Sequence, residues 1–77
     1  MSKHFVVYTK TGCPSCVKAK ELIKKRGDTF SENTIGVDIQ RDEFVEMFPH
    51  IKSVPYIVED GKAIGGYEKL VEWYGER

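Results

Sequence analysis

Phe5-Val6-Val7-Tyr8-Thr9 is an unbroken β-branched and aromatic run set between polar residues, the pattern of a strand buried on both faces. Gly12 breaks it, and Pro14 suits a first helical position because it has no amide hydrogen to leave unpaired. From there Cys16, Ala19, Leu22 and Ile23 share one helical face with the lysines mostly opposite, and Lys24-Lys25-Arg26-Gly27 forms a cation-rich end with a glycine cap. Residues 29–37 hold Phe30, Ile35 and Val37 but alternate poorly around Asn33 and Gly36, so an imperfect strand is expected there. Asp38 is expected to cap a second helix, with Phe44, Met47, Phe48 and Ile51 at helical spacing and Pro49 ending its regular turns. Tyr56-Ile57-Val58 and Ala63-Ile64 flank Glu59-Asp60-Gly61-Lys62, and Asp-Gly between apolar runs marks a β-hairpin. After Gly65-Gly66, the stripe Tyr67, Leu70, Val71, Tyr74 predicts a last helix that stops at Gly75.

The predicted order is β-α-β-α-β-β-α. A right-handed crossover makes the first two strands parallel and the hairpin adds two antiparallel ones, giving an α/β fold: a four-stranded mixed sheet flanked by helices on both faces. No repeat or linker interrupts the chain, so residues 1–77 read as one domain. Such a domain buries only about 60% of its unfolded surface, which leaves a thin stability margin. Apolar residues at 40% and charged residues at 31% match an ordinary globular protein. Lys+Arg and Asp+Glu each number 12, so no global field draws nucleic acid or a membrane surface. The longest uninterrupted apolar run, Phe5 to Tyr8, is too short for a membrane helix or a signal-peptide core, and a cytoplasmic protein is expected.

Chemistry concentrates in Cys13-Pro14-Ser15-Cys16. A bridge closing so short a loop contributes roughly 2 kcal/mol at best, so stabilisation is a poor reason for the pair. Zinc needs four ligands, and besides these sulfurs the chain offers only His4 and His50, neither at ligand spacing; no metal is expected. Cys13 sits where helix amides and the positive dipole lower a thiol pKa from about 8.5 into the range of about 3.5 to 7.5. Pro14 stiffens the loop and leaves the Ser15 and Cys16 amides as donors to the thiolate. Cys16, one turn on, faces the same way and can attack a mixed disulfide on Cys13. Nucleophile and resolving thiol are thus assigned. Tyr8, Trp73, Tyr74 and the phenylalanines are expected in the core or half-buried, and the two histidines on the surface.

The sequence resembles the glutaredoxins along nearly its whole length: in Tyr8-Thr9-Lys10, Cys13-Pro14-x-Cys16, Ala19-Lys20-x-Leu22, Ser53-Val54-Pro55 and Ile64-Gly65-Gly66-Tyr67-Glu68. Its size is similar to that of the short phage and bacterial dithiol type. This resemblance implies a thioredoxin fold, a cis Val54-Pro55 bond, and reduction of protein disulfides or glutathione mixed disulfides with glutathione as co-substrate. It gives Lys10 the role of offsetting the thiolate and meeting the glycyl carboxylate of glutathione. It gives the Val54 backbone, beside Pro55, the role of pairing with the cysteinyl segment. Gly66, Tyr67 and Glu68 match the helix start that receives the γ-glutamyl group, and Arg41, next to Gln40, matches a second carboxylate-binding position.

Three positions depart from the family pattern: Ser15 where Tyr is common, Glu68 where Asp is usual, and Ser53 where Thr is usual. Ser15 removes an aromatic wall, which predicts glutathione turnover with a high KM. The implied partners are glutathione and disulfide-containing proteins, ribonucleotide reductase among them, served by a monomer. Two rival readings are a redoxin recharged by a flavoprotein reductase, which Ser15 keeps open, and a [2Fe-2S] module held through Cys13 and glutathione, which Pro14 disfavours.

Overall fold

A computed structural model describes residues 3–51 and 53–75, so the outermost residues of the expected 1–77 domain lie outside the described region. The strand β1 (His4–Thr9) runs through the middle of a four-stranded sheet of order β2-β1-β3-β4. It pairs in parallel with β2 (Thr29–Thr34) and antiparallel with β3 (Tyr56–Glu59), which pairs antiparallel with β4 (Lys62–Gly65). Both faces of β1 are covered, as its β-branched and aromatic run requires.

On one face Phe5, Val7 and Ile57 meet Ala19 and Ile23 of α1 (Pro14–Lys25) and Leu70 of α3 (Tyr67–Gly75), all 0% exposed. Fully burying a Phe, Val, Ile or Leu side chain stabilises by roughly 1.5–3 kcal/mol, and this face fully buries five of them, Phe5, Val7, Ile23, Ile57 and Leu70. The other face is aromatic. Tyr8 and Tyr56 pack on Phe44 of α2 (Arg41–Met47) and on Phe48, with ring centroids between 4.8 and 6.3 Å apart. Burial pushes the Tyr8 hydroxyl pKa up, and the neighbouring Tyr56 adds to the rise.

Local chemistry sets the element ends. After α1, the Gly27 amide donates to the Lys24 carbonyl and the Asp28 amide to the Ile23 carbonyl, with Gly27 at φ 81°, a left-handed cap that a residue with a Cβ seldom adopts. In the hairpin, Asp60 at φ 50° and Gly61 at φ 79° form the paired left-handed turn that suits a two-residue loop.

Three expectations for β2 and α2 need correction, and Val71, expected on the apolar stripe of α3, is 44% exposed. Strand β2 stops at Thr34, not Val37, because the Thr34 carbonyl accepts the amides of Val37 and Asp38 and turns the chain; Val37 is 70% exposed. Asp38 does not cap α2. Its carboxylate accepts the Thr34 amide at 2.8 Å, and the N-cap is Gln40, in a capping box with Glu43. Met47, placed on the apolar face of α2 by its spacing, is 53% exposed, since the helix ends there and only Phe44 is buried.

Candidate active site

Where β1 hands over to α1, Cys13 takes the N-cap position with extended backbone, φ −102° and ψ 104°, and Pro14 opens the helix. The Cys16 amide donates to Cys13 Sγ at 3.2 Å, so an orphan amide of the first turn points at the sulfur. Of the two donors expected from the sequence, Cys16 is the one engaged. The two cysteines form a disulfide with Cα atoms 5.3 Å apart. Cys13 is half-buried while Cys16 is 2% exposed, so the outer sulfur meets a partner first. An accessible thiolate backed by a covered thiol one turn away suits attack followed by resolution.

Val54 faces this helix start from the loop before β3. Its carbonyl oxygen lies 3.9 Å from Cys13 Sγ, and the Val54–Pro55 peptide is cis. Pro55 is buried, and its carbonyl lies 3.6 Å from where a Cβ on Gly66 would stand, so the start of α3 abuts the same loop.

Two clefts open beside Cys13. One is lined by Lys10, Arg41, Val54 and Ser53 over Ile35 and Phe44, which brings three of the sequence-predicted site residues together. The other holds Cys13, Pro14 and Cys16 with Thr9, Lys20 and Glu32, and Lys10 borders it too. Tyr67 and Glu68 line neither cleft: the Tyr67 side chain packs on the main core and Glu68 is exposed in the first turn of α3.

Sequence reasoning missed the polar wall of the second cleft. Lys20 Nζ lies 2.9 Å from Glu32 Oε2, and the Thr9 hydroxyl, in a residue 1% exposed, donates to the same oxygen at 2.7 Å. The Lys20 hydrogen bond and then the Thr9 bond hold the Glu32 carboxyl below its ordinary value. Lys20 could have been singled out, since four residues past Cys16 it shares its helix face, whereas Glu32 needs the β1–β2 register, Val7 opposite Glu32 and Thr9 opposite Thr34. Among the described residues no three His, Cys, Asp or Glu side chains group as metal ligands, and no helix is long and apolar enough to cross a membrane.

A family model described as Glutaredoxin matches residues 5–64, which takes in both cysteines, Lys10, Arg41 and Val54-Pro55 but not Gly66, Tyr67 or Glu68. Glutaredoxin 3 of Escherichia coli is 37% identical over 65 residues, covering 83% of this chain and 77% of that protein. A hybrid peroxiredoxin of Haemophilus influenzae is 35% identical over 68 residues, 88% of this chain but only 28% of that protein's length. Among solved structures, a buckwheat glutaredoxin in complex with glutathione superposes with a TM-score of 0.73 at 26% identity, over 96% of this chain and 70% of that one.

Proposed function

The chain belongs to the glutaredoxin family, and we propose that within it this protein is a dithiol oxidoreductase that draws its electrons from glutathione to reduce protein disulfides or glutathione mixed disulfides. The carrying observation is the Cys13 sulfur at a helix N-cap, receiving the Cys16 amide with a disulfide partner one turn away. In the reduced protein Cys13 thiolate attacks a substrate sulfur and displaces the other as a thiolate. Then either Cys16 attacks Cys13 and frees the bound thiol, or glutathione does so directly.

The lining of the Arg41 cleft supports glutathione as donor. Lys10 and Arg41 are cations suited to carboxylates, and Val54 offers backbone to an extended peptide beside Cys13. The start of α3, just after Gly66 and beside the Pro55 carbonyl, adds first-turn amides of the kind that have no intrahelical partner. That a similar protein has been solved with glutathione bound agrees with this reading. The match to a segment of a hybrid peroxiredoxin supports a peroxiredoxin as one class of electron acceptor, and the family resemblance adds reductive enzymes such as ribonucleotide reductase.

Ser15, exposed between the cysteines, offers no aromatic wall, and the loss of such a contact weakens binding by about 1 kcal/mol, several-fold in affinity. It favours a second reading, a redoxin recharged by a flavoprotein reductase. Turnover of a small glutathione mixed disulfide separates the two. The expected result is glutathione-dependent activity with a high KM that Ser15→Tyr lowers; protein inert with glutathione yet rapidly reduced by a thioredoxin-type reductase would establish the second reading.

A further inference from the structure

The polar cleft contains groups that the exchange reaction has not yet used: the Lys20–Glu32 ion pair and the Thr9 hydroxyl bonded to it. We propose that this pair sets the acidity of the resolving thiol, Cys16, and so the rate at which a mixed disulfide on Cys13 closes to the Cys13–Cys16 disulfide. The inference rests on the reading of Cys16 as the resolving thiol.

Cys16 needs such help more than Cys13 does. It is 2% exposed, and burial disfavours a thiolate. Its own amide serves Cys13 Sγ, so the helix start favours the other sulfur. Lys20 lies four residues on, and helical side chains lean toward the N-terminus, which carries its stem back toward the turn of Cys16 and into the same cleft. The ammonium is not free there. Glu32 holds it at 2.9 Å, and Thr9 fixes the accepting oxygen from the buried end of β1.

A paired cation acts weakly on a nearby sulfur; the cation alone would lower the thiol pKa and the carboxylate alone would raise it. The pair therefore holds Cys16 at a set point between those extremes. Lys10 borders the cleft, and Lys24 acts on Glu32 from the next turn of α1. On α3, packed across α1, Lys69 and Glu72 pair with each other, Glu68 is exposed, and Tyr67 lies against the core.

In the step concerned, the Cys16 thiol gives its proton to water and the thiolate attacks Cys13 Sγ. The Cys13–Cys16 bond forms as the bond from Cys13 to the substrate sulfur breaks. That sulfur leaves with the electron pair and is protonated by water, so that over attack and resolution together the two cysteines lose two electrons and the substrate disulfide gains them.

A test loads Cys13 with thionitrobenzoate and follows its release, alongside a pH titration of the Cys16 13Cβ shift in the reduced protein. Glu32→Gln keeps an acceptor for Thr9 and frees the Lys20 charge, so the Cys16 midpoint should fall by roughly half a unit to one unit. Thiolate fraction rises tenfold per unit, but nucleophilicity falls with a Brønsted coefficient of about 0.4–0.5, so release near neutrality should quicken only about two- to threefold. Lys20→Met should shift the midpoint up and slow release by a similar factor. Lys20→Arg, which keeps the charge, and the double variant Lys20→Met/Glu32→Gln should both lie near wild type.

Opposed signs are the signature, because structural loosening would move both single variants the same way. Shifts of equal sign, or an unmoved midpoint while release still requires Cys16, would overturn the proposal. Release as fast in Cys16→Ser as in wild type would instead remove the resolving role, and the proposal with it.

Discussion

The two clefts beside Cys13 are similar in volume, about 520 and 610 Å³, so lining rather than size distinguishes them. On the α2 side the floor is Ile35, Phe44 and Ile51 and the rim carries Lys10 and Arg41. On the α1 side a hydrogen-bonded Thr9–Glu32–Lys20 set reaches in beside Cys16. An apolar floor under cations that pair with no carboxylate among the described residues suits a visiting peptide-like thiol with carboxylates, which the floor can desolvate and the rim can orient. A cation already paired inside the protein is poorly placed to hold a visitor, and it acts on a neighbouring sulfur only together with its carboxylate. One sulfur at one helix start thus stands between a binding surface and a tuning surface.

The largest expected effect tests the sulfur that lines the α1-side cleft and lies 3.9 Å from the Val54 carbonyl of the other. Cys13→Ser should abolish every exchange reaction, whereas Cys16→Ser should retain reduction of glutathione mixed disulfides and lose the reactions that need resolution. Equal loss in both variants in the mixed-disulfide assay would collapse the distinction between the sulfurs.

Phe44 belongs both to the floor of the α2-side cleft and to the aromatic core at 5% exposure. Phe44→Ala should cost about 3 kcal/mol or more, lowering Tm by more than about 12 °C at the roughly 4–8 °C per kcal/mol expected of so small a domain. Lys20→Met should lower Tm by no more than about 4–8 °C, because partly exposed ion pairs contribute about 1 kcal/mol or less. A thermal unfolding series makes the comparison.

Lys10→Ala and Arg41→Ala should each raise KM for glutathione several-fold with a smaller change in kcat, more so at low salt. Glu68→Ala, outside both clefts, should raise it less. Steady-state kinetics at two ionic strengths checks this order, and equal effects at all three positions would dissolve the boundary of the binding side.

The smallest effect is the acid dependence of Glu32. Its folded pKa lies below the ordinary 4.5, held down by Lys20 first and then by Thr9. Its contribution is therefore full above the unfolded value and is lost as pH falls through the folded one. Urea midpoints of wild type and Glu32→Gln should differ slightly near neutrality and converge in acid; a gap that widens in acid would refute that sign.

What could be read from the sequence follows from how local each cause is. The site start was legible because Gly12, Cys13 and Pro14 act within one turn, and the hairpin because Asp60-Gly61 fixes its own turn. Asp38 misled because two nearby residues compete for the capping role. The Thr34 amide takes the Asp38 carboxylate, and Gln40 with Glu43 satisfies α2 instead. The Lys20–Glu32–Thr9 set was hidden because it joins a helix to two strands through a register that no short window contains. The convergence of Lys10, Arg41 and Val54 came through family resemblance, since the end of β1, the start of α2 and the loop before β3 supply them.

The most direct test of the whole account is the thiolate absorbance of reduced Cys16→Ser protein against pH, which isolates Cys13. The N-cap position predicts a midpoint within about 3.5 to 7.5, and a midpoint at or above the ordinary thiol value of about 8.5 would contradict Cys13 as the nucleophile.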